Sequence, residues 1–106
     1  MADEYAIVLT TLPADSSADA FAETLVRERL AACVNVLPEM QSTYTWKGQV
    51  ERAAERQAVI KTTAARLDEL KARIASLHPY EVPELLVLKI EDGGRAYLDW
   101  MREATR

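Results

Sequence analysis

Two short apolar runs bracket this chain, Tyr5-Ala6-Ile7-Val8-Leu9 near its start and Leu85-Leu86-Val87-Leu88-Lys89-Ile90 near its end. Their length and β-branched content predict central strands with at least one covered face. Between Ser16 and Leu30 the apolar positions Ala18, Phe21, Ala22, Leu25, Val26 and Leu30 fall on one stripe of a helix. Ser16 with Asp19 three residues later reads as its N-terminal cap. A second stripe, Leu67, Leu70, Ile74 and Leu77, predicts a helix over about 63–77. A third, Tyr97, Leu98 and Met101, follows the turn Asp92-Gly93-Gly94 and predicts a helix running to the C-terminus.

The middle of the chain carries a conflict. Val34 and Val36, then Ser42, Tyr44 and Trp46, alternate with more polar neighbours, which predicts a strand bent near Pro38. Trp46-Lys47-Gly48-Gln49-Val50 reads as a tight hairpin turn with glycine at a position of positive φ. The return strand then runs from Val50 to Thr62. Residues 51–57 have strong helix propensity, and only tertiary pairing can override it. The β-like end Ala58-Val59-Ile60 and the turn decide for the strand.

The order is therefore β-α-β-β-α-β with a further C-terminal helix. This is an α+β, ferredoxin-like sandwich in which helices cover one face of an antiparallel sheet. The central hairpin is long for such a body. Two strands of about 13 residues reach roughly 40–45 Å, against a diameter of about 33 Å for a compact domain of this length. A projecting hairpin is marginal in water and leaves open edges. It must bend back over the sheet or dock on another subunit, and a closed ring of identical subunits leaves no fibre-forming end.

Composition narrows the function classes. The 106 residues predict a single domain over 1–106, with 49% apolar and 28% charged residues. Thirteen basic residues against seventeen acidic ones give a net charge of -4, and the basic ones are interleaved with acids. That argues against a nucleic-acid groove. No apolar run approaches the roughly 20 residues of a membrane span. Met1-Ala2-Asp3-Glu4 lacks the basic start of a secretory signal, and one cysteine, Cys33, permits no intrachain disulfide. Together these predict a cytoplasmic protein without nucleic-acid or membrane partners.

The most distinctive motif is His78-Pro79-Tyr80-Glu81-Val82-Pro83-Glu84. Two prolines stiffen a loop that presents an imidazole, a phenol and carboxylates. It reads either as a rigid connector or as a ligand-binding loop. Cys33 reads either as a small buried residue or as a soft ligand for Cu(I) or another thiophilic metal. One cysteine and one histidine do not complete a four-ligand site within a subunit. A carboxylate, a methionine (Met1, Met40 or Met101) or symmetry-repeated residues would have to add to them. Lys61 with Thr62 and Thr63 reads as a strand end meeting a helix N-terminus, where the threonines cap the helix or the group holds an anion. Hydrolytic chemistry has no Gly-x-Ser-x-Gly and no evident partner for the one histidine.

The strings from Leu30 to Pro38 (LAACVNVLP), Ser42, Tyr44, Trp46, Lys47 and Gly48, then Ile60-Lys61-Thr62, then residues 78–84, and finally Tyr97, Leu98 and Trp100 resemble the CutA divalent-cation tolerance family. The likeness spans nearly the whole chain in order and spacing. It implies a ferredoxin-like subunit in a tight homotrimer whose hairpins pair between neighbours, in outline similar to the PII signalling proteins. It further implies a non-enzymatic protein that binds copper or another divalent metal, with no metal required for folding. His78 and Cys33 occupy the positions the resemblance associates with metal. Some family members carry a second thiol where this chain has Thr10-Thr11, and a His-His pair where it has Leu77-His78. The alternative is a PII-like trimeric sensor of a small anionic metabolite, with Trp46, Lys61, Tyr80 and Glu81 lining clefts between subunits.

Overall fold

The computed structural model describes residues 4–106. The acidic opening at 1–3, and Met1 as a candidate ligand, lie outside the described residues. The elements are β1 (Tyr5–Pro13), α1 (Ser17–Arg27), β2 (Cys33–Val36), β3 (Met40–Trp46), β4 (Gln49–Thr63), a 3₁₀ turn (Ala64–Arg66), α2 (Leu67–Leu77), β5 (Leu86–Ile90) and α3 (Arg95–Ala104). The sheet runs β2-β4-β1-β5, with β3 continuing beside β4, and every pairing is antiparallel. This is the ferredoxin-like arrangement with an added helix.

Alternation along β1 builds the core. Val8 and Leu12 face α1 and α2 and meet Ile60, Phe21, Leu25, Leu70 and Ile74, all buried. The register Val34↔Ile60↔Val8 places three β-branched side chains in one row beneath the helices. Thr10 shares this face and keeps a fully buried hydroxyl with no hydrogen-bond partner among the described residues. On the other face, α3 closes only one end of the sheet, packing Met101 against Tyr5 and Ala32.

The helix ends differ from the sequence reading. The first helix stops at Arg27 because Arg29 turns left-handed (φ 61), letting the Leu30 amide bond the Leu25 carbonyl at 3.0 Å. Ser16 makes no side-chain cap; the carboxylate of Asp15 accepts from the Ser17 amide at 2.9 Å instead. The second helix starts at Leu67, because β4 runs on through Thr63. Thr62 and Thr63 therefore do not cap it. Thr62 donates to the Leu30 carbonyl (2.7 Å), and the Thr63 hydroxyl meets that of Thr105 (3.2 Å).

The hairpin forms as the turn chemistry requires. Lys47 and Gly48 both take positive φ (51° and 78°) in a two-residue loop between the paired Trp46 and Gln49. The bend near Pro38 is a bulge in which residues 37–39 oppose only residues 56 and 57 of β4. Arg56 Nε holds it by donating to the Leu37 carbonyl at 2.9 Å. Residues 51–57 are strand, since pairing with β3, and with β1 from Glu55 onwards, overrides their helix propensity. Beyond Glu55, β3 is the one neighbour of β4 among the described residues, so residues 40–54 form a two-stranded arm. The molecule measures 47 × 25 × 24 Å.

One strand is not where its sequence suggests. The apolar run at the end of the chain is an edge strand, with Leu86, Val87 and Leu88 43–54% exposed. A continuous apolar strand needs cover on both faces, and this chain supplies neither in full.

Candidate functional site

The face of the sheet opposite α1 and α2 carries Cys33, Lys61, Tyr44 and Trp46 among the residues singled out from the sequence. Directly paired residues share a face, so Cys33, Lys61, Ile7 and Leu88 form one row across it, and Asn35, Val59, Leu9 and Leu86 the next. On the arm the same face continues through Met40, Ser42, Tyr44 and Trp46 of β3. At the other end stand Tyr97 and Trp100 of α3, rings 5.3 Å apart and nearly half exposed. The result is a mixed surface along the long axis, in which apolar and aromatic side chains alternate with polar ones such as Lys61, Asn35 and Glu51, and most are partly exposed in the single chain.

The loop at 78–84 forms a strap that ties β1 to β4 beyond the stretch of β1 that β5 pairs. His78 Nε2 lies 2.7 Å from the Thr11 carbonyl, which only accepts, so Nε2 carries the proton. Nδ1 then accepts from the Tyr80 amide at 3.2 Å. Both ring nitrogens are engaged, and a metal ion could take the imidazole only by displacing one of these bonds. The ring also packs edge-on against Phe21 and tilted against Tyr80. Tyr80 donates to Glu55 Oε2 (2.7 Å), and Gln57 Nε2 donates to Glu84 Oε2 (2.8 Å). Glu81 is exposed beside them.

The sequence-predicted sites are dispersed within one subunit. Cys33 is half-buried, its Sγ 4.0 Å from Asn35 Oδ1, in the row of Ile7, whereas His78 sits beside Thr11. Four residues along β1 and two strand spacings separate them, about 16 Å across the sheet. Among the described residues, no three His, Cys, Asp or Glu side chains gather where they could hold a metal ion. Trp46 lies at the arm tip with the Lys47 ammonium 5.6 Å from its ring centroid, while Lys61 sits under Tyr97 at 5.8 Å. About 40 Å of strand lies between Trp46 and Lys61, so one subunit does not gather the four cleft residues. Lys61 is also two residues short of the strand end and does not front a helix N-terminus. Glu55 and Gln57, which hold the strap, were not singled out because they fall in the stretch that reads as helix.

Burial pushes the Tyr80 phenol well above the usual tyrosine range, and its hydrogen bond to the Glu55 carboxylate adds to this. The charges facing it are Glu55, Tyr44 and Asp15, with the His78 ring 4.8 Å away. Below about pH 10 both folded and unfolded chains keep the phenolic proton, and the stabilisation is complete. Above that the unfolded chain loses it first, so stability falls as pH rises towards the folded value. Urea midpoints at pH 8 and pH 11 should therefore drop further for the native chain than for Tyr80→Phe. Equal drops would remove Tyr80 from the alkaline response.

Comparison with known proteins bears on this arrangement. A family model described as CutA1 divalent ion tolerance protein matches residues 6–104. A divalent-cation tolerance protein CutA of Thermus thermophilus is 48% identical over 99 residues, covering 93% of this chain and 96% of that protein. The chain belongs to the CutA family. Solved CutA structures agree in shape. The Thermus thermophilus structure superposes with a TM-score of 0.92 at 46% identity, covering 96% of this chain and 99% of that one. A structure titled periplasmic divalent cation tolerance protein CutA, from Archaeoglobus fulgidus, gives a TM-score of 0.92 at 29% identity, covering 96% and 99%. A chloroplastic CutA of Oryza sativa is 38% identical, and this chain spans only 56% of its length. CutA proteins thus occur in more than one compartment. For this chain, no helix among the described residues is long and apolar enough to cross a membrane. The CutA relatives named here speak for divalent-cation tolerance, and nothing in them favours a PII-like metabolite sensor.

Proposed function

We propose that this chain is one subunit of a CutA homotrimer that binds divalent cations, copper among them, and serves metal tolerance without catalysing a reaction. The observation that carries the reading is strand β5. Its exposed Leu86, Val87 and Leu88, together with the unpaired edges of the arm, need cover that another copy of the chain supplies. A closed ring consumes every such edge, and three is the number the family resemblance implies. The metal reading draws on the relatives' names and on Cys33. Its thiol lies on the open face, so each copy would bring one soft ligand to a shared interior. His78 would join only by giving up its bond from the Tyr80 amide. A lone free thiol suits a reducing compartment, and the cytoplasm is the location we propose.

Equilibrium dialysis against copper tests the metal part. The Cys33→Ser, His78→Ala double variant should lose most of the copper held by the native assembly, with Cys33→Ser alone accounting for the larger share. Unchanged stoichiometry in the double variant would remove both residues from the site.

A further inference from the structure

The strap spends its polar side chains on one place, the root of the arm. Glu55 is the residue at which β4 changes neighbours, the last opposite β1 (Pro13) and the first opposite β3 (Met40). The residue is 7% exposed, and the Tyr80 hydroxyl is the hydrogen-bond partner that the described residues offer its carboxylate. Two residues further on, Gln57 Nε2 bonds both Glu84 of the strap and the Thr10 carbonyl of β1, each at 2.8 Å. His78 anchors the start of the strap to the Thr11 carbonyl. On the far edge of β4 at the same level lies the bulge, where pairing between strands lapses. Bulges bend and twist a sheet locally, and a two-stranded ribbon beyond one has little of its own to fix its direction.

We propose that residues 78–84 are a brace, in which Tyr80, acting through Glu55, sets the angle at which the arm leaves the sheet and so presents it to a second copy of the chain. Tyr80 is a positioning residue here, since it need not touch that copy. A buried carboxylate takes this role because a charge-assisted bond is strong and directional, and because loss of the phenol leaves it unpaired where water is scarce. The consequence for assembly rests on the oligomer reading above; the brace itself does not.

Amide hydrogen exchange on the native chain, Tyr80→Phe and Glu55→Gln tests the brace. In Tyr80→Phe, amides of residues 50–54 should exchange at least tenfold faster, while those of Val8 and Ile60 in the body stay within twofold. Glu55→Gln keeps an acceptor for the phenol and should retain most of the arm's protection. Arm exchange within twofold of native in Tyr80→Phe would overturn the brace, and so would an equal rise in arm and body, which marks general destabilisation. Light scattering on the native chain judges the oligomer reading separately, so a monomeric native protein with selective arm loosening would retain the brace and discard the assembly.

Discussion

Replacing Leu88 with glutamate should leave the subunit folded and break the assembly. Leu88 is 49% exposed on an edge strand of the single chain, and substitutions at such surface positions usually change stability by no more than about 0.5 kcal/mol. In the proposed trimer the same position is covered. Each copy would then forfeit the roughly 1.5–3 kcal/mol of a buried leucine and also carry an unpaired carboxylate into a desolvated interface, at several kcal/mol per ion. Three copies multiply the loss. The expected outcome is native-like circular dichroism with the mass of a single chain at micromolar concentration. A Leu88→Glu protein that keeps the native mass would mean that β5 is not an interface.

The opposite pattern is expected one strand inward. Ile60 is fully buried between Val8 and Val34 under the two helices. Its truncation to alanine should cost about 2–5 kcal/mol, a large part of a total of about 5–15 kcal/mol. That cost belongs to the subunit, so the shift in unfolding midpoint should be the same at every protein concentration. Val59, its neighbour in sequence, points to the open face in the row of Leu9 and Leu86. Val59→Ala should cost less, and its effect should grow as the protein is diluted, because in the proposed trimer the contacts it loses are between copies. Identical concentration dependence for the two variants would contradict the division of the sheet into a private and a shared face.

That division explains which features were legible in the sequence. Elements whose pattern answers to their own chain were read correctly: the stripes of α1 and α2, the Lys47-Gly48 turn and the bend at Pro38 all follow from local chemistry. The helix ends were misplaced by a few residues because competing groups took over the capping. Asp15 displaced Ser16, and the long pairing of β4 kept Thr62 and Thr63 extended. Strand β5 reads as central from its continuous apolar run, but hydrophobic pattern alone does not say where in a sheet a strand lies, and its pairing places it at the edge. The strap's partners were invisible for a different reason. Glu55 and Gln57 lie in a polar stretch whose propensity is helical, and only its pairing register brings them beneath Tyr80 and Glu84. Cys33 and His78 are both conspicuous in the sequence, yet nothing in their spacing reveals that the fold keeps them apart within one subunit.

The proposed function depends on sister chains sheltering the open face and the arm. Multi-angle light scattering of the native protein from about 1 to 100 micromolar tests this most directly. A particle of about 36 kDa, three times the 11.9 kDa of one chain, is the predicted result. A steady 12 kDa across that range would contradict it, leaving the exposed apolar strand without a cover and the proposed metal site without its other ligands.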